Sequence, residues 1–354
     1  MALAKISRQA AARRPTVNPA RRRGLLRFLA LLVVLGLLVG LVASRIGGGS
    51  AGPGAKAGAA RPVSQAPPTP VSRLAKRSLP APISGEAVAT EPGGSLLVVG
   101  GLDSSDVSTS GVFRLDPQST RVTPVGSLSQ PLHDAAATTV RAKTLVLGGG
   151  SISTIDEVES LKSGSTGQVV GHLPTPRSDV SAVTLGRSAY VLGGYDGQSP
   201  QGSVLQTNDG GHFAAVAQLR KAVRYTAVAV LGRTIYSFGG ELASGSATDA
   251  IQATDPTTGH TSIVGHLPAP ISHASAVELG GRIYLLGGLM GASPTSRILV
   301  FDPSSRKVRP AGHLPLAVSN AAAATAGGTA YLIGGLGTGG KTLASVIEVR
   351  LRRP

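Results

Sequence analysis

Six times along this chain a short apolar run closes on a pair of glycines, and the interval between pairs hardly varies. The runs are SLLVVGG ending at Gly101, TLVLGG at Gly149, SAYVLGG at Gly194, TIYSFGG at Gly240, RIYLLGG at Gly288 and TAYLIGG at Gly335. Successive pairs lie 48, 45, 46, 48 and 47 residues apart. Each run is too short for a helix and rich in Val, Ile, Leu and Tyr, so it reads as a buried strand. The glycines that stop it admit positive φ and a sharp turn. A fixed period of this size means one supersecondary unit per repeat, stacked on its neighbours.

The rest of each repeat supplies three more strands. Before the glycine strand comes a run of small residues, beginning at Gly85, Asp134, Asp179, Tyr225, His273 and Asn320. Small side chains suit strands crowded around a common axis. After it comes a strand ending in Asp-Pro at Pro117, Pro256 and Pro303, which is type I turn chemistry. A fourth strand then carries Leu128, Leu173, Leu219, Leu267 or Leu314, often within GHLP. Four strands in each of six repeats specify an all-β fold, a six-bladed β-propeller.

On these residues the chain resembles the kelch family, whose repeat couples an apolar strand ending in Gly-Gly to a downstream Asp turn, a Trp and a Leu-Pro segment. The resemblance covers Val71 to Pro354. Tyr190, Tyr236, Tyr284 and Tyr331 stand three residues before the first glycine, where the family usually has tyrosine; Leu97 and Leu145 replace it in the first two repeats. The departure is tryptophan, of which the chain has none. Phe213, Val122, Val308 and Thr261 occupy that position, so the outer strands are anchored by smaller groups. The chain also has no cysteine, which removes disulfides and thiolate metal sites. It likewise removes the thioether-linked tyrosine of galactose oxidase, a copper enzyme on a similar propeller.

Ahead of the repeats the composition changes. Residues 1–23 form a basic cytoplasmic segment without acids, and 24–43 form an apolar run broken by one charge, Arg27. Twenty helical residues span about 30 Å, the thickness of a hydrocarbon core. The run is therefore expected to be a transmembrane signal anchor, and its partner the lipid bilayer. The basic flank puts the N-terminus in the cytoplasm and the propeller outside. The competing reading is a signal peptide cut near Val42-Ala43-Ser44, and Arg22-Arg23-Gly24-Leu25-Leu26 is a weak twin-arginine motif. Residues 44–70 are rich in Gly, Ala and Pro and read as a disordered linker. The combination is that of a bacterial membrane-anchored or exported kelch protein.

The net charge of +16 follows from the same division. Of the 34 basic residues, 14 precede Pro80, where there is no acid; the other 20 face all 18 acids, leaving the propeller near +2. Topology and anionic lipid explain this excess, and nucleic acid is not expected as a partner. The last repeat ends after its third strand, while Val71 to Leu79 matches the fourth strand of the fifth repeat. The domain 71–354 is thus expected to close by strand 71–79, removing two open edges.

Function is sought where the repeats differ. His172, His266 and His313 recur before the same leucine and are structural. Five and six residues past each leucine the repeats diverge, giving Ser84-Gly85, His133-Asp134, Ser178-Asp179, Arg224-Tyr225, Ser272-His273 and Ser319-Asn320. These pairs begin the innermost strands at the channel mouth, the face that also receives Tyr195, Asp196 and Glu241 after the glycines. In kelch propellers with known ligands that face binds. The candidate ligand-binding residues are His133, Asp134, Asp179, Asp196, Arg224, Tyr225, Glu241, His273 and Asn320, with no cofactor and no metal expected. His133 and His273 lie three repeats apart, on opposite sides of a six-fold ring. The principal reading is a non-catalytic module that binds a protein, a glycan or a cell-wall polymer. A sugar mutarotase-like or epimerase-like enzyme is the alternative, with His133, Asp179, Arg224 and Glu241 as its acid-base groups.

Overall fold

A computed structural model describes residues 68–352. The expected anchor at 24–43 and nearly all of the linker lie outside the described residues. Among the described residues no helix is long and apolar enough to cross a membrane.

Strand β1 (Pro70–Ile83) opens the described chain but belongs to the last blade. Blade 1 follows as β2 (Ala87–Thr90), β3 (Leu96–Val99), β4 (Thr109–Leu115) and β5 (Val122–Leu132). Blade 2 holds β6 (Ala136–Val140), β7 (Lys143–Leu147), β8 (Glu157–Leu161) and β10 (Gln168–His172), while the short β9 (Ser165–Thr166) reaches over to pair with β5. Blade 3 comprises β11 (Ser178–Leu185), β12 (Ser188–Tyr195), β13 (Ser203–Thr207) and β14 (Ala214–Gln218). Blade 4 comprises β15 (Ala227–Leu231), β16 (Thr234–Phe238), β17 (Ala250–Asp255) and β18 (His260–His266). Blade 5 holds β19 (Ser275–Leu279), β20 (Arg282–Leu286), β22 (Ser293–Asp302) and β23 (Lys307–Val318), with β21 (Leu289–Met290) extending one hairpin. Blade 6 is β24 (Ala322–Ala326), β25 (Thr329–Ile333), β26 (Leu343–Leu351) and β1. Each blade is an antiparallel four-stranded meander, and the six sheets together are the six-bladed propeller.

The double glycines have a shared physical cause. A Cβ on Gly239 would collide with the carbonyl of Ile271, and the next residue, Gly240, donates its N–H to that same oxygen at 2.8 Å. The link from each outermost strand to the next blade therefore lies directly on the glycine pair, and any side chain would lift it off. Gly334 and Gly335 receive Ile83 of β1 in the same way, the N–H of Gly335 donating at 2.8 Å. The chain's first described strand thus repeats the geometry of every other blade.

Apolar side chains form a cluster at each interface between adjacent blades. Leu79 lies between blades 6 and 1, Leu128 between 1 and 2, Leu173 between 2 and 3, and so on around the ring. Each such leucine is nearly fully buried, a contribution of about 1.5–3 kcal/mol apiece. The outer positions without tryptophan are filled modestly. Phe213 and Val122 pack against neighbouring clusters, and Thr261 is buried with its hydroxyl 3.0 Å from that of Thr254.

Strand β1 pairs with β26 from Pro70↔Leu351 to Ile83↔Leu343. It starts one residue before, and runs four past, the segment 71–79. Glu348 of β26, buried to 3 % exposure, gathers Arg73 at 2.8 Å, Arg77 at 3.1 Å and Arg350 at 3.2 Å. Arg77 also donates to the carbonyls of Asp116, Pro117 and Ser119 in the outer turn of blade 1. One arginine therefore ties the closing strand both to its own blade and to the next. Burial would raise the Glu348 carboxyl, but Arg73, Arg350 and Arg77 hold it below the ordinary glutamate value.

Candidate functional site

At one end of the central channel the six inner strands begin with a residue in the left-handed region. These are Gly85 (φ 61), Asp134 (52), Asp179 (55), Tyr225 (51), His273 (53) and Asn320 (51). The conformation disfavours Cβ-bearing residues, so something must hold five of them in it. Each N–H donates to the carbonyl of its counterpart one blade back, at 2.8 to 3.1 Å, and Gly85 closes the circle onto Asn320. Six hydrogen bonds make a ring around the channel mouth. Because these residues are turned out of strand geometry, the inner strands start two or more residues later than the small-residue runs in every blade except the third.

The side chains of the ring meet over the axis. Tyr225 stacks on His273, with ring centroids 3.7 Å apart, and its hydroxyl donates across the mouth to Asp134 at 3.2 Å. A side chain at Gly85 would run into Asp134 and Asn320, so the glycine leaves room for those two groups to meet. Burial, the Asp179 charge and too few compensating donors push the Asp134 carboxyl up to about 7. Asp179 is also raised, by burial, against the pull of Tyr225 and Arg224. The Tyr225 phenol is driven far up by burial and the two nearby carboxylates and stays protonated. Behind the ring lies a cavity of about 170 Å³ walled by the inner-strand residues, and beyond it one of about 320 Å³ edged by Thr90, Thr139, Thr184 and Thr325.

Arg224 links the ring to the outer loops. Its backbone pairs with Glu241 in an antiparallel bridge, which sets the two side chains opposite each other. The guanidinium lies 3.0 Å from Glu241 and 3.4 Å from Asp179, and it sits over the rings of Tyr195 (5.0 Å) and Tyr225 (5.3 Å). His273 places Nδ1 2.9 Å from the Ser272 hydroxyl and 3.7 Å from Glu241. Burial lowers its basicity, opposed by Glu241 and reinforced by Arg224, so the imidazole is neutral at pH 7.

Seven of the nine candidates, Asp134, Asp179, Arg224, Tyr225, Glu241, His273 and Asn320, therefore form one connected network. The other two stand outside it. His133 is hydrogen-bonded at 2.9 Å to Ser108 of blade 1, and burial lowers its pKa despite Asp179. Asp196 is a turn residue: it accepts from the N–H groups of Ser199 and Gln198, which hold its carboxyl low, and also from the Gln201 side chain. Among the described residues no cluster of His, Asp or Glu has the makings of a metal site.

Two residues escaped the comparison of repeats. Tyr195 was legible as a mouth residue but not as the second plate of the Arg224 sandwich. Glu86 stands where the other blades carry Ala135, Val180, Thr226, Ala274 and Ala321, so its oddity was visible in the sequence. It is buried at the seam between blades 6 and 1. One carboxylate oxygen accepts from the N–H of Ala322 at 3.0 Å, and the other has no partner among the described residues. Burial raises its pKa to about 8, against the bond from Ala322.

The six closed blades define a six-bladed β-propeller. A family model described as the Kelch motif matches residues 270–315, which run from the link after β18 through most of blade 5. Kelch-like protein 35 of Mus musculus is 29 % identical over 202 residues, covering 55 % of this chain and 34 % of that protein. Kelch-like protein 25 of Xenopus tropicalis is 24 % identical over 214 residues, again 55 % of this chain and 35 % of the relative. The chain thus spans about a third of the length of these relatives. The solved structure described as "Structure of YjhT" superposes with a TM-score of 0.69 at 15 % identity, over 78 % of this chain and 98 % of that one, a likeness of fold. The chain thus carries a Kelch motif in blade 5 and is similar to kelch-like proteins over 55 % of its length.

Proposed function

We propose that this protein is a membrane-anchored interaction module whose propeller stands outside the cytoplasm and binds a protein partner with the channel-mouth face. The observation that carries the reading is the Arg224 assembly. A guanidinium held between two tyrosines by two carboxylates, beside a stacked Tyr225–His273 pair, is a rigid aromatic and arginine surface. Such groups dominate binding energy at protein interfaces because little freedom is lost when they dock. The groups that would serve acid-base chemistry are engaged with one another. Arg224 bridges Asp179 and Glu241, and His133 is bonded to Ser108. That engagement favours recognition over a mutarotase-like reaction. The anchoring rests on the apolar run 24–43 with its basic flank.

The test is a binding screen of the full chain in nanodiscs against envelope proteins and a glycan array. Tyr195→Ala serves as a variant that removes a half-buried ring of the mouth and leaves the ring hydrogen bonds in place. A protein ligand lost on Tyr195→Ala supports the reading. A glycan ligand, or turnover of a sugar anomer, contradicts it. Protease added to intact cells should remove the propeller, and a soluble form beginning near Ser44 would replace the anchor with a cleaved signal peptide.

A further inference from the structure

The two flat faces of the propeller carry opposite charge. Strands in each blade alternate in direction, so the innermost hairpin turn and the outer turn between third and fourth strands all fall on the face away from the ring. On those turns Arg121, Arg141, Lys143, Arg187, Arg233 and Arg306 are exposed and make no ion pair among the described residues. Lys162, Lys307 and Arg352 join them. The acids on that face are fewer and mostly engaged: Glu91 pairs with Arg114, Asp302 with Arg282 and Asp209 with His212. Asp116 and Asp255 accept from turn N–H groups, and Glu278 accepts from Gly281. On the mouth face the loops carry Asp103, Asp106, Asp156, Glu157, Asp196 and Asp249, of which Asp103 and Asp196 likewise accept from turn N–H groups and Asp156 and Asp249 face His172 and His266, against Arg220, Lys221, Arg297 and Lys341.

The chain joins the propeller on the basic face. Pro70 pairs with Leu351 at that end of β1, Thr69 accepts from the N–H of Arg352 at 3.0 Å, and Tyr284 donates to the carbonyl of Pro68 at 3.1 Å. A near-neutral domain has no reason of solubility to separate its charges this way. We infer that the basic face rests on an anionic lipid surface, so that the acidic mouth points away from the bilayer toward its partner. The charges are spread over turn tips around a ring, which fits a planar array of headgroups rather than one groove-bound polymer. Each basic residue at such a surface adds roughly fivefold to partitioning, and the attraction fades beyond about 8–10 Å, so a tilted or inverted domain loses it. The inference rests on the reading of residues 24–43 as an anchor, which supplies the bilayer.

The absence of cysteine allows unique labelling. The full chain is reconstituted with a donor dye at Gln118→Cys, on the basic face, or at Ile152→Cys, on the mouth face, in vesicles bearing a headgroup acceptor. With phosphatidylglycerol present, energy transfer from position 118 should exceed that from 152. The excess should vanish in phosphatidylcholine alone, in high salt, and in the four-site variant Arg141→Glu, Lys143→Glu, Arg187→Glu and Arg233→Glu. Reversing four charges lowers the surface partition by on the order of a thousandfold or more. Unchanged melting of that variant shows that its fold is intact. Equal transfer from both labels on phosphatidylglycerol, or an excess that survives in neutral lipid, overturns the inference. So does binding of a soluble polyanion without any excess transfer, which would assign the face to a charged polymer. An alkaline wash separates this from the anchor. Release of the chain refutes the anchor, while a retained chain without the excess refutes the surface.

Discussion

Replacing Glu86 with glutamine isolates one proton at the seam where the ring closes. The unfolded chain releases that proton near the ordinary glutamate value of 4.5, and the folded chain only at about 8. Between those limits the folded state holds one proton more, so stability is fully present below pH 4.5 and falls as pH rises, levelling above 8. At roughly 1.4 kcal/mol per unit, the span amounts to about 5 kcal/mol. Glutamine has the shape of the neutral acid and never ionises. The variant should therefore match the parent near pH 4 and exceed it by up to about 5 kcal/mol at pH 9. Urea unfolding at pH 4, 7 and 9 measures this through the shift in midpoint at constant slope. Some decline persists in the variant, because Asp134 also carries a raised pKa, of about 7. A pH profile identical in parent and variant would refute the assignment of this buried proton to Glu86.

Arg224→Ala leaves Asp179 and Glu241 without their shared cation and should cost about 1–3 kcal/mol; Arg224→Lys should not restore it, since an ammonium cannot span both carboxylates, and thermal melting of both variants decides. Glu348→Ala strips Arg73, Arg77 and Arg350 of their common partner and should destabilise by about 3 kcal/mol, seen as a lower urea midpoint; a neutral effect would mean that β1 is held by backbone pairing alone. In the parent the depressed Glu348 pKa gives stability that is present above pH 4.5 and lost as pH falls through the folded value. Gly239→Ala should be far worse than Gly232→Ala, although both glycines have φ near 60°, because only Gly239 faces the carbonyl of Ile271; equal melting temperatures would refute the docking account of the double glycine. A chain beginning at Ser84 lacks β1 and should aggregate or melt well below one beginning at Gln65.

The blades were legible because their causes are local and repeated. Gly-Gly and the buried leucine each answer to a steric need that recurs six times, and Asp-Pro marks the outer turn in three repeats, so agreement among repeats stood in for a structure. The mouth was legible as a place, since the positions where repeats disagree fall together there. Its connections were not. That Arg224 faces Glu241 follows from a strand register, and that Tyr225 crosses to Asp134 depends on two residues 91 positions apart. The left-handed ring was hidden for another reason. Tyr gives no sign of positive φ and Asp, His and Asn only a weak preference for it, and the inter-blade hydrogen bonds that hold them there exist only in the closed propeller. Sequence neighbours likewise could not show the sidedness of charge, because turns on one face come from residues spaced irregularly along the repeat.

The claim that the mouth is the recognition surface is tested most directly by scanning a photo-crosslinking amino acid over both faces in the intact cells that make the protein. Positions 133 and 195 lie at the mouth, and 118 and 258 lie on the turns of the opposite face. The same protein adduct should form from His133 and Tyr195 and be absent from Gln118 and Thr258. A protein adduct confined to Gln118 and Thr258 would contradict the account.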